Sequence, residues 1–217
     1  MKTSNILSAL LLSSFAIFSG CSSNDTNSNT AITYSYSVQV QNITAGQPMS
    51  PLLVSNSALF TVGESATDGL ERLAEGGDNS ALLNTDSVSG NGLIVPSASD
   101  TVTINSQTQV LSIATMLVKT NDGFAGLDTY DVSSLSRQGS VTLYLNVYDA
   151  GTETNSETNT TVPGLGGEGY NVAREVSNIV TSHNGIISKD DGLISSGLTS
   201  LEKFNNPVAK VTITRTK

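Results

Sequence analysis

Two stretches of alternating sequence decide the fold class of this chain: YSYSVQVQ at residues 34–41 and VTLYLNVY at residues 141–148. In both, apolar or aromatic residues mostly alternate with polar ones. Successive side chains of a β-strand point to opposite faces, so a period of two predicts strands with one buried and one solvated face. The same reasoning predicts strands at TVTIN (101–105) and at 208–214. The almost wholly apolar run VLSIATMLV (110–118) predicts a central strand.

Helical signals are confined to one short region of the sequence. Thr67 can cap a helix whose apolar residues recur at spacings of three and four, and the glycine pair 76–77 would end it. A second helical turn is predicted over 79–83, and the polar stretches 151–169 and 182–197 are predicted to be loops. Several strands joined by polar loops predict an all-β fold, an antiparallel β-sandwich with one or two short helices.

Composition excludes several functional classes. The 217 residues contain 10 Lys and Arg against 19 Asp and Glu, for a net charge of −9, which excludes the basic surface that nucleic acid binding requires. There is one Cys and one His, so the chain can form neither an internal disulfide nor a Cys₂His₂ or His₃ zinc site.

The N-terminus has the pattern of an export signal. Residues 1–20 contain Lys2 and then an apolar run of 13 residues (6–18), too short to cross a bilayer, which takes about 20 apolar residues. The small residues Ser19 and Gly20 before Cys21 resemble the lipobox of bacterial lipoproteins, which implies diacylglycerol on the Cys21 thiol. The alternative is an ordinary secretory signal with a free or buried thiol.

The lipoprotein resemblance also implies a location. Ser22 after the cysteine implies the outer membrane, with the protein facing either the periplasm or the exterior. Residues 22–30 (SSNDTNSNT) contain no hydrophobic residue, so we expect residues 21–30 to be an acylated cysteine and flexible tether. The predicted domain then spans 31–217.

Acidic residues follow two of the predicted strands. The stretch 120–128 (TNDGFAGLD) follows the central strand, and 148–153 (YDAGTE) follows the strand at 141–147. If those strands run in the same direction, both stretches lie at one end of the sheet. Carboxylates and loop carbonyls are the hard oxygen ligands that Ca²⁺ prefers. Asp-Gly and Asn-Gly pairs are also ordinary turn formers, and spacing alone leaves both interpretations open.

Blocks of residues along the mature chain resemble the spondin domain of F-spondin and mindin. They occur in the family's order and comprise QNIT (41–44) with Gln47 and SPLL (50–53), GLERLAEGG (69–77), the segment 116–128, YDAGTE (148–153) and PVAKVT (207–212).

The resemblance implies a sandwich similar to a C2 domain, with Ca²⁺ held by acidic loops at one end. By position the ligands would be Asp122, Asp149 and Glu153. The sequence departs from the family in two places: Gly123 replaces a Trp, and Glu153 replaces an Asp. Glu75, at the helix end, is a further candidate, but we expect it to be a solvent-exposed residue.

Two further residues are candidates for a functional role. Asp128 could contact the metal site through an outer shell or simply end the turn. His183 lies in a polar turn, where we expect an exposed, non-catalytic histidine.

No enzyme motif such as G-x-S-x-G, H-E-x-x-H or a P-loop is present, so no enzymatic activity is expected. The resemblance implies an adhesion-like or ligand-binding module with a protein or glycan ligand. A structural envelope lipoprotein is the alternative, and a hydrolase is a third.

Overall fold

The computed structural model describes residues 32–173 and 177–217. The expected signal peptide (1–20), Cys21 and the tether lie outside the described residues. Within them, one α-helix, three single 3₁₀ turns and nine strands follow in chain order: β1 (Tyr34–Asn42), β2 (Leu53–Ser55), α1 (Asp68–Gly76), a 3₁₀ turn (Ser80–Leu82), β3 (Ser87–Ser89), β4 (Ser99–Ser106), β5 (Val110–Met116), β6 (Gly123–Asp131), β7 (Ser140–Asp149), a 3₁₀ turn (Pro163–Leu165), β8 (Thr181–Ser182), a 3₁₀ turn (Lys189–Asp191) and β9 (Ala209–Arg215).

The strands confirm the all-β prediction, and all their pairings are antiparallel. They form one hydrogen-bonded order, β3-β2-β5-β6-β7-β9-β1-β4, with β8 added to β7. The edge strands β3 and β4 contact each other, so the sheet curls almost into a barrel. The predicted C2-like sandwich of two separate sheets is therefore not confirmed.

Strand β7 joins the two halves of the sheet. Its first part, Ser140 to Leu145, pairs with β9, and its last part, Asn146 to Asp149, pairs with β6. Strand β7 thus belongs to two ladders. It connects the half of the barrel wall that contains β9, β1 and β4 to the half that contains β6, β5, β2 and β3.

The main core fills the inside of the curled sheet, to which nearly every long strand contributes. The alternating sequence of β1 places Tyr36, Val38 and Val40 inside this core, as predicted. Strand β5 is buried along almost its whole length because its outer face is covered as well, which is why its sequence does not alternate.

Helix α1 provides that outer cover. Its Leu70, Leu73 and Ala74 belong to a second core cluster that includes Ala114 of β5 and Phe124 of β6. The predicted cap is confirmed: Thr67 Oγ1 accepts the Leu70 N–H at 3.2 Å. Gly77 ends the helix in the left-handed conformation with φ 67°.

Four strands were not predicted. Strands β2, β3 and β8 have two or three residues each, too few to show a period. Strand β6 begins at Gly123, inside the acidic stretch 120–128 for which no strand was predicted, so only residues 117–122 connect β5 to β6. Among the described residues, no helix has the length and apolar character needed to cross a membrane.

Candidate functional site

The two acidic stretches lie at the same end of the barrel, as their positions in the sequence predicted. Strands β5 and β7 both pair antiparallel with β6, so they run in the same direction. The β5–β6 connection and the segment after β7 therefore emerge side by side. They also touch, because the Ala150 N–H donates to the Asp122 carbonyl at 3.1 Å.

Asp122 is the centre of this contact. Its side chain is fully buried, and Oδ2 accepts the backbone N–H groups of Thr152 at 2.8 Å and Glu153 at 3.1 Å. The Thr152 hydroxyl donates to the same oxygen at 3.3 Å. The other oxygen, Oδ1, is buried and accepts no hydrogen bond from any described residue. A buried carboxylate oxygen without a donor is costly, so Oδ1 requires a further explanation.

The electrostatics of the site favour a positive partner. Burial, followed by the charge of Asp149, raises the pKa of Asp122 to about 6, although the N–H groups of Glu153 and Thr152 act in the opposite direction. Burial also raises the pKa of Glu153 to about 8, together with the charges of Glu75, Asp122 and Glu168. Burial and the neighbouring carboxylates together disfavour the ionised form of both groups, and a bound cation would reverse that effect.

Asp149 belongs to the same region, but its oxygens bind within its own segment. Oδ1 accepts the Gly151 N–H at 2.8 Å, and Oδ2 accepts the Asn155 amide. In the described part of the chain, no three His, Cys, Asp or Glu side chains already form a ready-made metal centre. We use the name acidic cluster for Asp122, Asp149, Glu153 and Glu75.

Glu75 corrects one expectation from the sequence. It was expected to be exposed at the end of α1, yet only 1% of its surface is accessible. Its Oε2 accepts the Asn171 N–H at 2.9 Å. After burial, the charge of Glu75 is the largest cause of the raised pKa of Glu153. The burial arises because the loop around residue 170 covers the last turn of the helix, a tertiary contact that helical periodicity cannot reveal.

His183 corrects a second expectation. The imidazole is half-buried rather than an exposed loop side chain, and its Nδ1 accepts the Gly185 N–H at 2.9 Å. Burial lowers the pKa of His183, whereas the charges of Asp149 and Glu157 raise it, with burial the larger effect. The imidazole ring packs against Gly123, because a Cβ atom added to Gly123 would lie 3.0 Å from His183 Cδ2. Gly123, where the resembled family has Trp, thus leaves room for the histidine.

Asp128 is neither part of a turn nor a member of the acidic cluster. It lies within β6, and its Oδ1 accepts the Leu59 N–H at 2.7 Å, so it fixes the segment after β2. Within the stretch 182–197, which was predicted to be a loop, a 3₁₀ turn over Lys189–Asp191 ends at Gly192.

The donor set suits Ca²⁺ better than a softer metal, because every candidate ligand is an oxygen. The orphaned Oδ1 of Asp122 and the adjacent Glu153 are the groups that fit best. The chain is matched by no protein-family model and by no curated protein sequence.

Proposed function

We propose that this chain is a lipid-anchored bacterial lipoprotein of the outer membrane, whose domain binds Ca²⁺ at the acidic cluster and presents an adhesion-like or ligand-binding surface. The lipobox-like sequence before Cys21 supports the anchor. The spondin-like blocks of sequence support the calcium site and the adhesive role.

The observation that carries the calcium proposal is the fully buried Asp122 carboxylate, with one oxygen lacking a donor, next to Glu153. Folding has brought like charges together at a cost, and a divalent cation would offset that cost. The cation would accept electron density from Oδ1 and would favour the ionised form of both carboxyls, with release of the protons they hold.

Asp122 and Glu153 would be the principal ligands, and Asp149 would contribute as well. Both Asp149 oxygens accept hydrogen bonds, but a carboxylate oxygen has a second lone pair that remains available. The carbonyl groups of the two segments could supply further oxygens, since Ca²⁺ takes about six to eight. Bound calcium would tie the β5–β6 connection to the segment after β7 and make the loop surface at this end rigid.

A calcium titration followed by thermal unfolding tests the proposal. We expect added Ca²⁺ to raise the melting temperature of the mature protein. Binding to the folded state should increase the free energy of unfolding by about 2.7 kcal/mol when free calcium is 100 times its dissociation constant. In Asp122→Asn, the amide keeps an acceptor for the Thr152 and Glu153 N–H groups but removes the charge. We expect this variant to fold and to show no calcium-dependent shift.

Asp131→Asn is the matched control, because Asp131 is exposed at the opposite end of β6. It should retain the full calcium response. A wild-type protein that calcium does not stabilise, or an Asp122→Asn variant that responds as the wild type does, would refute the calcium site.

A further inference from the structure

A cleft lies on the barrel wall outside the acidic cluster. Its volume is about 400 Å³, within the range of roughly 300–1,000 Å³ that is usual for small-molecule sites. Its lining combines aromatic, hydroxyl and carboxylate groups with two aliphatic side chains: Phe60, Thr61, Val62, Leu127, Asp128, Thr129 and Tyr148.

The aromatic wall of the cleft is held rigidly. The half-buried Tyr148 ring packs against Phe60 with ring centroids 4.9 Å apart, and against Phe124 at 5.7 Å. Phe60 and Phe124 in turn meet edge to face at 4.9 Å. The Tyr148 hydroxyl makes no hydrogen bond with any other described residue, so the cleft offers a fixed ring with a free polar end.

The polar side of the cleft is also fixed in place. Asp128 Oδ1 is bound by the Leu59 N–H, and Oδ2 accepts the Thr129 hydroxyl at 3.2 Å. A carboxylate has about four acceptor sites, so this group can accept further hydrogen bonds from a ligand. The exposed Thr61 hydroxyl adds a group that both donates and accepts, and the exposed Thr129 hydroxyl, whose proton is donated to Asp128, can accept.

Thr129 has an unusual backbone. Its φ is 47°, which is strained for a β-branched residue, and its N–H donates to Ser112 Oγ at 2.8 Å. The β5–β6 register shifts between Leu111 and Ile113, opposite this position. Such irregularities redirect side chains at the surface of a sheet, and here the affected residue lines the cleft.

We propose that this cleft binds a neutral saccharide. The apolar face of a pyranose ring would pack on Tyr148. The ring hydroxyls would donate to Asp128 and Thr129 and exchange hydrogen bonds with Thr61. The only ionised side chain in the lining is a carboxylate, and the chain carries a net charge of −9, so an anionic sugar would be repelled. None of the four residues of the acidic cluster lines this cleft, so the two sites are separate.

The inference gives a ligand class to the proposed binding module and rests on that proposal only for its biological setting. It is tested by calorimetry and saturation-transfer NMR on the purified mature protein. The probes are cellotetraose, maltotetraose, mannotetraose and tetra-N-acetylchitotetraose, with tetragalacturonic acid as the anionic comparison. We expect saturable binding of at least one neutral tetrasaccharide and none of the anionic one.

Variants locate the site. Tyr148→Leu removes the stacking ring and should weaken binding about ten-fold or more. Asp128→Asn keeps an acceptor for the Leu59 N–H but loses the charge, and it should weaken binding similarly. Tyr144→Leu is the matched control, since Tyr144 lies on the same strand, is 55% exposed and is not part of the cleft. It should stay within about two-fold of the wild type.

A chelator distinguishes this inference from the calcium proposal. Saccharide binding that survives removal of Ca²⁺ supports the cleft even if the acidic cluster binds no metal. Failure of all four neutral sugars to bind would overturn the inference. So would equal affinity for the anionic sugar, or unchanged affinity in folded Tyr148→Leu and Asp128→Asn.

Discussion

Gly123 shows how one missing side chain organises its surroundings. It begins β6 directly after Asp122, and its N–H donates to Thr120 Oγ1 at 2.9 Å. A Cβ at this position would lie 2.5 Å from Thr120 Oγ1 and 3.0 Å from His183 Cδ2. The turn before β6 and the position of the histidine therefore both depend on glycine at this residue.

We expect Gly123→Ala to lower the free energy of unfolding by about 1–3 kcal/mol, because the methyl group forces Thr120 and His183 to move in a packed region. Denaturant unfolding measures this. Gly169→Ala is the control, because a Cβ there meets its nearest neighbour only at 3.7 Å. A Gly123→Ala variant as stable as Gly169→Ala would show that the region relaxes freely.

Among the elements, the β5–β6 connection is joined to the segment before β9 by a half-buried ion pair. Lys119 Nζ lies 2.7 Å from Glu202 Oε1. Burial by itself would raise the pKa of Glu202, but hydrogen bonds from Lys119 and from the side chain and backbone of Thr199 outweigh it and lower the pKa to about 2. The folded protein therefore binds this proton less readily than the unfolded chain does.

The shift predicts a pH dependence. A carboxyl with a folded pKa near 2 and an ordinary value of 4.5 stabilises the fold above about pH 4.5, and this contribution disappears as the pH falls towards 2. We expect Lys119→Met to cost about 1–3 kcal/mol at pH 6 and much less near pH 2, measured by denaturant unfolding across this range.

Lys203→Met is the control for this prediction. Lys203 pairs with Asp191 at 2.8 Å, but the two side chains are 41% and 40% exposed. An exposed pair contributes less than about 1 kcal/mol, so this variant should change stability little at any pH. A Lys119→Met penalty that stays constant between pH 6 and pH 2 would contradict the assigned role of Glu202.

The elements also show what the sequence could and could not predict. Strands β1 and β7 were predicted because their alternation is long, and the single helix because its cap and its glycine stop were both present. Strand β6 was not predicted because Asn121, Asp122 and Gly123 have the composition of a turn. The residues that follow them were therefore assigned to the same acidic stretch and not to a strand.

For the candidate site, the meeting of the two acidic segments could be predicted from strand direction. The burial of Glu75 and His183 could not, because loops distant in sequence cover them. The short strands β2, β3 and β8 form because they pair with neighbouring strands of the sheet. Local sequence patterns do not indicate such long-range pairing.

At the scale of the whole molecule, strand β7 connects the two halves of the barrel wall. Leu145 lies fully buried at the point where β7 changes partner: it pairs with Ala209 of β9, and the next residue, Asn146, pairs with Gly126 of β6. A disturbance here reaches both ladders and the main core.

We therefore expect the Leu145→Ala substitution to lower the free energy of unfolding by about 2–5 kcal/mol. The variant protein should still unfold in a single transition. Hydrogen exchange should show β6 and β9 losing protection together. Leu93→Ala, at a leucine that is 56% exposed, is the matched control and should cost little. Separate unfolding of the two ladders in Leu145→Ala would show that β7 does not couple them.

The direction of the strands has a mechanical consequence. Strand β1 begins at the end of the barrel opposite Asp149, and β9 lies between β1 and β7, paired with both. A force applied between the start of β1 and the segment after β7 would act along the strands. It would slide β1 and β7 past β9. The ladder hydrogen bonds would then bear the force together, in shear, instead of opening one at a time. If the protein is anchored at its N-terminus and binds a partner at those segments, as we propose, these ladders would resist the tension that the partner applies.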